Sequence, residues 1–189
     1  MEPQADFRLP RHWPRIWALD IDRSKASALW AAHEREADVL YIYSEVVMPR
    51  HELAIVADTI KKRAGWVPGL FDHLARGRSQ QEGQRIIDAL LDLRLDVFTS
   101  SVDPDAGAAE VTRRLSTKRL KVFDTCTNWV SQYRSYRRDK TGEIVEESDG
   151  LMRATHLLCM DAPRLAMDDM QAHGEVDVGD KGRSAVTGY

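Results

Sequence analysis

Three aspartates stand at places where a carboxylate could act. Asp20 closes the apolar run IWALDID (16–22), Asp72 closes WVPGLFD (66–72), and Asp149 precedes the apolar-periodic segment LMRATHLL. In an open mixed sheet, strand ends and helix starts gather along one rim, so residues far apart in sequence can meet there. Two carboxylates about 4 Å apart repel by roughly 4 kcal/mol at an effective dielectric near 20. A cluster of three is tolerated only if one is protonated or a cation sits among them. Magnesium or manganese, hard ions that take oxygen ligands, are the natural occupants. Two such ions suit phosphodiester hydrolysis, one activating the attacking water and the other stabilising the leaving oxygen. That chemistry needs no histidine or cysteine nucleophile. The chain holds 30 acidic residues, however, so spacing alone does not single out these three.

Neighbouring groups extend the set. Asp22 lies two residues beyond Asp20, and strand alternation points both to one face, where Asp22 adds a ligand or a supporting contact. Glu147 lies close enough in sequence to substitute for Asp149. His73, next to Asp72, reads as a solvated loop histidine in preference to a water-orienting group.

The elements that must position these residues follow from the apolar patterning. IWALDID, ASALWAAHE (26–34) and DVLYIYSEVVM (38–48) are separated by short polar breaks, which predicts an antiparallel meander of three strands. The second run is rich in alanine and could be helical on propensity. Pro49 is expected in a first helical turn, followed at helical spacing by Leu53, Val56 and Ile60. WVPGLFD is then a strand, Gln80 to Leu93 a helix, LDVFTS (95–100) a strand, and Asp103-Pro104 an N-cap and first turn. LKVFDT (120–125) is a short strand or an extended stretch, and Trp129, Tyr133 and Tyr136 form a stripe better suited to a core than to base stacking. Residues 139–142 predict a hairpin turn. Ser148 is a candidate cap for a last helix reaching Cys159. Three antiparallel strands followed by alternating helices and strands make a mixed-sheet α/β layout.

Composition sets bounds on function. The chain has 189 residues, 43% hydrophobic and 30% charged, as in an ordinary globular domain. No apolar run is long enough to span a membrane, and the first residues lack a signal-peptide core, which predicts a cytoplasmic protein. Cys126 and Cys159 are expected as buried free thiols. The net charge of −3 argues against nucleic acid. Much of that charge lies in an acidic tail, however, and basic residues cluster at Arg76 and Arg78 and at Arg134, Arg137, Arg138 and Lys140, where they could touch phosphates. No Walker-type phosphate loop is present.

From residue 7 to residue 160 the chain resembles the C-terminal nuclease domain of phage terminase large subunits. FRLPRHWPRIWALDIDRSKASALW is similar to the family's first acidic strand and the strand after it. KRAGWVPGLFDHLARGRS resembles its second acidic motif, and LKVFDTCTNWVSQYRSYRRDKTGEIVEESDGLMRATHLL the aromatic-basic helix, turn and last acidic motif. The resemblance implies a ribonuclease H-like α/β fold, a mixed sheet of three antiparallel strands plus parallel strands flanked by helices. It implies one nuclease domain over 1–160, with 161–189 as a loosely held acidic tail. Asp20, Asp72 and Asp149 then match the family's metal-binding, catalytic acids, holding two Mg²⁺ or Mn²⁺ ions. Three positions depart from the family: Asp22 stands where glycine is common, Gly150 where histidine is usual, and Arg153 where an acid is frequent. The implied activity is endonucleolytic cutting of double-stranded viral DNA concatemers during packaging, with little sequence preference. The implied partners are DNA, a terminase ATPase domain, the small terminase subunit and the portal, in the cytoplasm of a bacterial host. The family's ATPase motor has no counterpart here, which suggests an excised domain or a remnant. Three rivals remain: a junction resolvase or transposase core of the same fold, a non-catalytic module that binds DNA or a portal, and a purely structural α/β domain with surface acids.

Overall fold

The computed structural model describes residues 3–49, 53–75, 78–135 and 149–166. In chain order the elements are β1 (Arg15–Ile21), β2 (Lys25–Glu34), β3 (Val39–Pro49), α1 (Leu53–Ala64), β4 (Gly69–Asp72), α2 (Gln80–Asp92), β5 (Val97–Ser100), α3 (Pro104–Ser116), β6 (Leu120–Val122), α4 (Thr127–Ser135) and α5 (Gly150–Leu165). One six-stranded sheet runs β5-β4-β1-β2-β3-β6. The first three strands pair antiparallel, while β4 joins β1, β5 joins β4 and β6 joins β3 in parallel. This is the expected mixed sheet.

The sheet is covered on both sides, and alternation along each strand sorts the side chains. Ile16, Ala18, Leu29, Ala31 and Leu70 enter a core with Trp129, Leu151, Ala154 and Leu158, so that face lies under α4 and α5. Trp17, Leu19, Ala28, Trp30 and Phe71 enter the opposite core with Val56, Ile60, Ile86 and Leu90 of α1 and α2. Burying an aliphatic or aromatic side chain of this size contributes about 1.5–3 kcal/mol. Burial on both faces explains why β2 is a strand despite its alanines. Its middle is buried between two layers of helices, and tertiary packing outweighs local propensity.

Gly69 shows how tight the packing is. A Cβ there would lie 2.1 Å from the Trp17 ring, whose indole N–H donates to the Val67 carbonyl at 2.8 Å. Only a bare backbone lets β4 pass the indole and pair with β1.

Some expectations need correction. Pro49 ends β3 instead of opening a helix, because the strand continues to pair with β2 through the Lys25–Pro49 register, and α1 is described from Leu53. LKVFDT, by contrast, forms the short strand expected of it, over Leu120–Val122. The last helix passes Cys159 and runs to Leu165, and Asp161 on it accepts a hydrogen bond from the Ser100 hydroxyl of β5. The N-cap residue of that helix is Asp149, while Ser148 lies outside the described residues.

Other expectations hold. Asp103 caps α3, accepting from the Ala106 N–H at 2.9 Å. Trp129 belongs to the core, stacked on Tyr133 at 5.1 Å and donating to the Thr155 hydroxyl. Cys126 and Cys159 are buried free thiols, each pushed up to about 12 by burial. Among the described residues no helix is long and apolar enough to cross a membrane.

Candidate active site

The fold brings the three aspartates to one rim. β1 and β4 are parallel neighbours whose last registered pair is Leu19 with Phe71, so Asp20 and Asp72 each follow that pair by one residue. By alternation both belong to the α5 face, with Ala18 and Leu70. Asp149 arrives from above, as the N-cap residue of α5, its side chain making no capping hydrogen bond. The N-terminus of α5 is held by α4, where the Gln132 side-chain oxygen accepts the Leu151 N–H at 3.0 Å.

Gly150 sets how closely the helix can approach. A Cβ at this position would fall 2.6 Å from Ser27 Oγ and 3.2 Å from Asp20 Oδ2. The histidine usual in the resembled family has no room here. That absence of a side chain is what allows the start of α5 to sit against β1 and β2.

Two arginines complete the site, and one was not anticipated. Arg153, one turn after Asp149 on α5, donates to Asp20 Oδ2 at 2.9 Å and stands 3.6 Å from Asp149 Oδ1 through Nε. The second contact is ionic but beyond hydrogen-bond reach, and Nε is buried with no hydrogen-bond partner among the described residues. The spacing from 149 to 153 is the signal that could have revealed this contact, since residues four apart share a helix face. Arg78 donates to the backbone carbonyls of Asp72 and Ile21, with its guanidinium 4.7 Å over the Phe71 ring. It thereby ties together the ends of β1 and β4.

Electrostatics at this rim are unbalanced. Burial pushes the Asp20 carboxyl up to about 6, a rise that Asp149 and Asp22 reinforce and that Arg153 and Arg78 oppose. Burial also raises Asp72, against the hydrogen bond from the Leu74 N–H and the charge of Arg78. For Arg153 burial disfavours the charge, but Asp20 and Asp149 outweigh it and hold its pKa above the ordinary value. Four carboxylates (Asp20, Asp22, Asp72, Asp149) face two guanidiniums (Arg78, Arg153), a net charge of −2 when all are ionised.

The remaining candidates are placed as follows. Asp22 lies in the β1–β2 connection, where Oδ1 accepts from the Ser24 N–H, the Ser24 hydroxyl and the Lys25 N–H. Burial pushes its carboxyl up, but those hydrogen bonds prevail and hold it below the usual range. His73 is half-buried and donates through Nδ1 to the Ser100 carbonyl, so it is not the solvated loop residue expected. Arg134 is exposed on α4. Arg76, Arg137, Arg138, Lys140, Glu147 and the turn at 139–142 lie outside the described residues.

Whether these groups suit a divalent cation is a matter of donor chemistry and charge. The donors are hard carboxylate oxygens, Asp20 and Asp149 are buried, and the net negative charge is what a divalent ion offsets. In chemistry the set fits. In arrangement, no three acidic, histidine or cysteine side chains among the described residues converge closely enough to hold an ion. Arg153 stands at the Asp20–Asp149 pair, and Asp72 is turned toward the Leu74 N–H.

The same arrangement of elements is found in a known structure. The chain superposes on the nuclease domain of the P22 large terminase with a TM-score of 0.82 at 20% identity, covering 91% of this chain and 92% of that one. The fold is that of a large-terminase nuclease domain. A large-terminase nuclease domain of bacteriophage SPP1 with bound Mn is also similar, at a TM-score of 0.56 and 14% identity, over 77% of this chain and 84% of that one. In sequence the chain is similar to the terminase large subunit of Enterobacteria phage LP7, 27% identical over 174 residues, or 86% of this chain and 36% of the relative. It is 26% identical to that of Salmonella phage P22 over 160 residues, 79% of this chain and 32% of the relative. The chain thus spans about a third of the length of the curated relatives it matches. No family model matches.

Proposed function

We propose that this chain is a metal-dependent endonuclease that cuts double-stranded viral DNA concatemers during genome packaging. The observation that carries the reading is the placement of Asp20 and Asp72 at the ends of adjacent parallel strands, with Asp149 at the helix start above them. That placement occurs within a fold shared with terminase nuclease domains, one of which is described with bound Mn.

In this reading Asp20, Asp72 and Asp149 hold the divalent ions, Mg²⁺ or Mn²⁺, two in number as the sequence suggested. The bound metal would supply an activated water and charge stabilisation at the scissile phosphate. The chain's own residues set up the site. Arg78 fixes the two strand ends so that Asp20 and Asp72 remain side by side. The Gln132 bond to Leu151 and the bare Gly150 seat the helix start so that Asp149 meets Asp20. The exposed Arg134, and the basic residues Arg76, Arg137, Arg138 and Lys140, would position the duplex through its phosphates with little reading of base sequence; Arg78, expected among them, is engaged by the Asp72 and Ile21 carbonyls instead. In the proposed full system the partners would be an ATPase domain, a small subunit and a portal, in the host cytoplasm; that the chain spans about a third of its terminase relatives leaves room for further domains in such a system.

The test is incubation of the purified chain with supercoiled plasmid and Mn²⁺, Mg²⁺ or EDTA. Nicking and linearisation with metal, and none with EDTA, are expected. A folded chain that retards DNA in a gel yet leaves plasmid uncut with either metal would favour the non-catalytic binding module.

A further inference from the structure

The arginine between the acids has a consequence for metal loading. Arg153 reaches Asp20 and Asp149 together, and its donor lies 2.9 Å from Asp20 Oδ2, one of the oxygens a metal would need. A magnesium ion sits about 2.0–2.1 Å from its ligand oxygens. An ion there and a guanidinium on the same oxygen would be two cations about 4 Å apart in a buried site, a strongly repulsive arrangement. They draw on the same carboxylate charge. The hydrogen-bonding imbalance of Arg153 also matters, because one of its buried N–H groups lacks a hydrogen-bond partner among the described residues. The contact neutralises charge without satisfying the guanidinium. Its side chain is 25% exposed, whereas that of Asp20 is 5% exposed, so the arginine has a route outward that the carboxylate lacks.

We infer that Arg153 is a built-in counter-cation that competes with divalent metal for the Asp20–Asp149 pair, so that metal loads only as its side chain withdraws. The inference rests on the metal-dependent reading above. In the metal-free protein Arg153 offsets the repulsion between the two buried acids. On loading it gives way, which weakens apparent metal affinity and makes occupancy depend on metal concentration.

The experiment is Mn²⁺ titration without DNA, followed by electron paramagnetic resonance and calorimetry, on the wild-type chain, Arg153→Met and Arg153→Lys, with folding checked by circular dichroism. Arg153→Met is expected to bind Mn²⁺ about tenfold or more tightly than wild type. It should also melt at a lower temperature in EDTA and gain more from added Mn²⁺. Arg153→Lys keeps the charge but loses the planar fork, so its affinity should fall between the two. Should Arg153→Met fail to fold, Arg153→Lys alone decides. Equal or weaker Mn²⁺ binding in the folded variants, with wild type binding normally, overturns the competition and leaves the metal reading standing. No Mn²⁺ uptake by any folded protein overturns both.

Discussion

Gly150 and Ser27 meet across the site with no space for another atom: a Cβ on Gly150 would lie 2.6 Å from Ser27 Oγ and 3.0 Å from Ser27 Cβ. The start of α5 is therefore fitted to β2, and the distance from Asp149 to Asp20 depends on that fit.

Gly150→Ala should destabilise the chain by about 1–3 kcal/mol, the usual cost of overfilling a packed contact. It should reduce cleavage further than the stability loss alone explains, because the displaced helix carries Asp149 away. Ser27→Ala removes the nearest atom and should recover part of both losses. A denaturant series on the two single variants and the double variant measures the coupling. Additive effects would mean that the two residues do not share a contact.

Asp22 separates a positioning role from a ligand role. Its carboxylate closes the turn through three hydrogen bonds from Ser24 and Lys25. Asp22→Asn keeps an acceptor oxygen and should leave stability and cleavage near wild type. Asp22→Ala should cost about 1 kcal/mol through the lost acceptor. Plasmid cleavage abolished in a folded Asp22→Asn would instead make Asp22 a metal ligand.

His156 gives the fold a pH dependence that does not involve the acids. It is buried beside Gly107, and burial together with the Arg153 charge lowers its pKa to about 4. Unfolded, a histidine takes up its proton near 6.5. The unfolded chain therefore binds more protons between these values, so this contribution is complete above about 6.5 and is lost as pH falls toward 4. From pH 7 to 4.5 the loss should be about 2 kcal/mol. His156→Gln should remove most of it, and chemical denaturation of both proteins at the two pH values checks this. Equal pH sensitivity in the two proteins would count against His156 as its source.

The sheet was legible in sequence because its signals are local. Runs such as IWALDID and DVLYIYSEVVM carry the strand pattern themselves, whereas Asp22, expected by parity on the face of Asp20, lies past the end of β1, where strand alternation no longer applies. Pro49 misled because a proline suits a strand end as well as a helix start, and only the pairing with Lys25 decides between them. The acids Asp20, Asp72 and Asp149 could be proposed from placement and resemblance, but their neighbours could not. Arg78 binds carbonyls of two strands that adjoin only in three dimensions. Arg153 read as a lost ligand because the identity of its second partner, Asp20, depends on how α5 crosses the sheet.

The most direct test of the site compares Asp20→Asn, Asp72→Asn and Asp149→Asn with wild type on supercoiled plasmid at saturating Mn²⁺, each checked for folding. The site described here predicts that every one of the three loses at least about a hundredfold in cleavage rate, a loss of roughly 2.7 kcal/mol of transition-state stabilisation, while remaining folded. Near-wild-type cleavage by any one of these folded variants would contradict a shared centre at Asp20, Asp72 and Asp149.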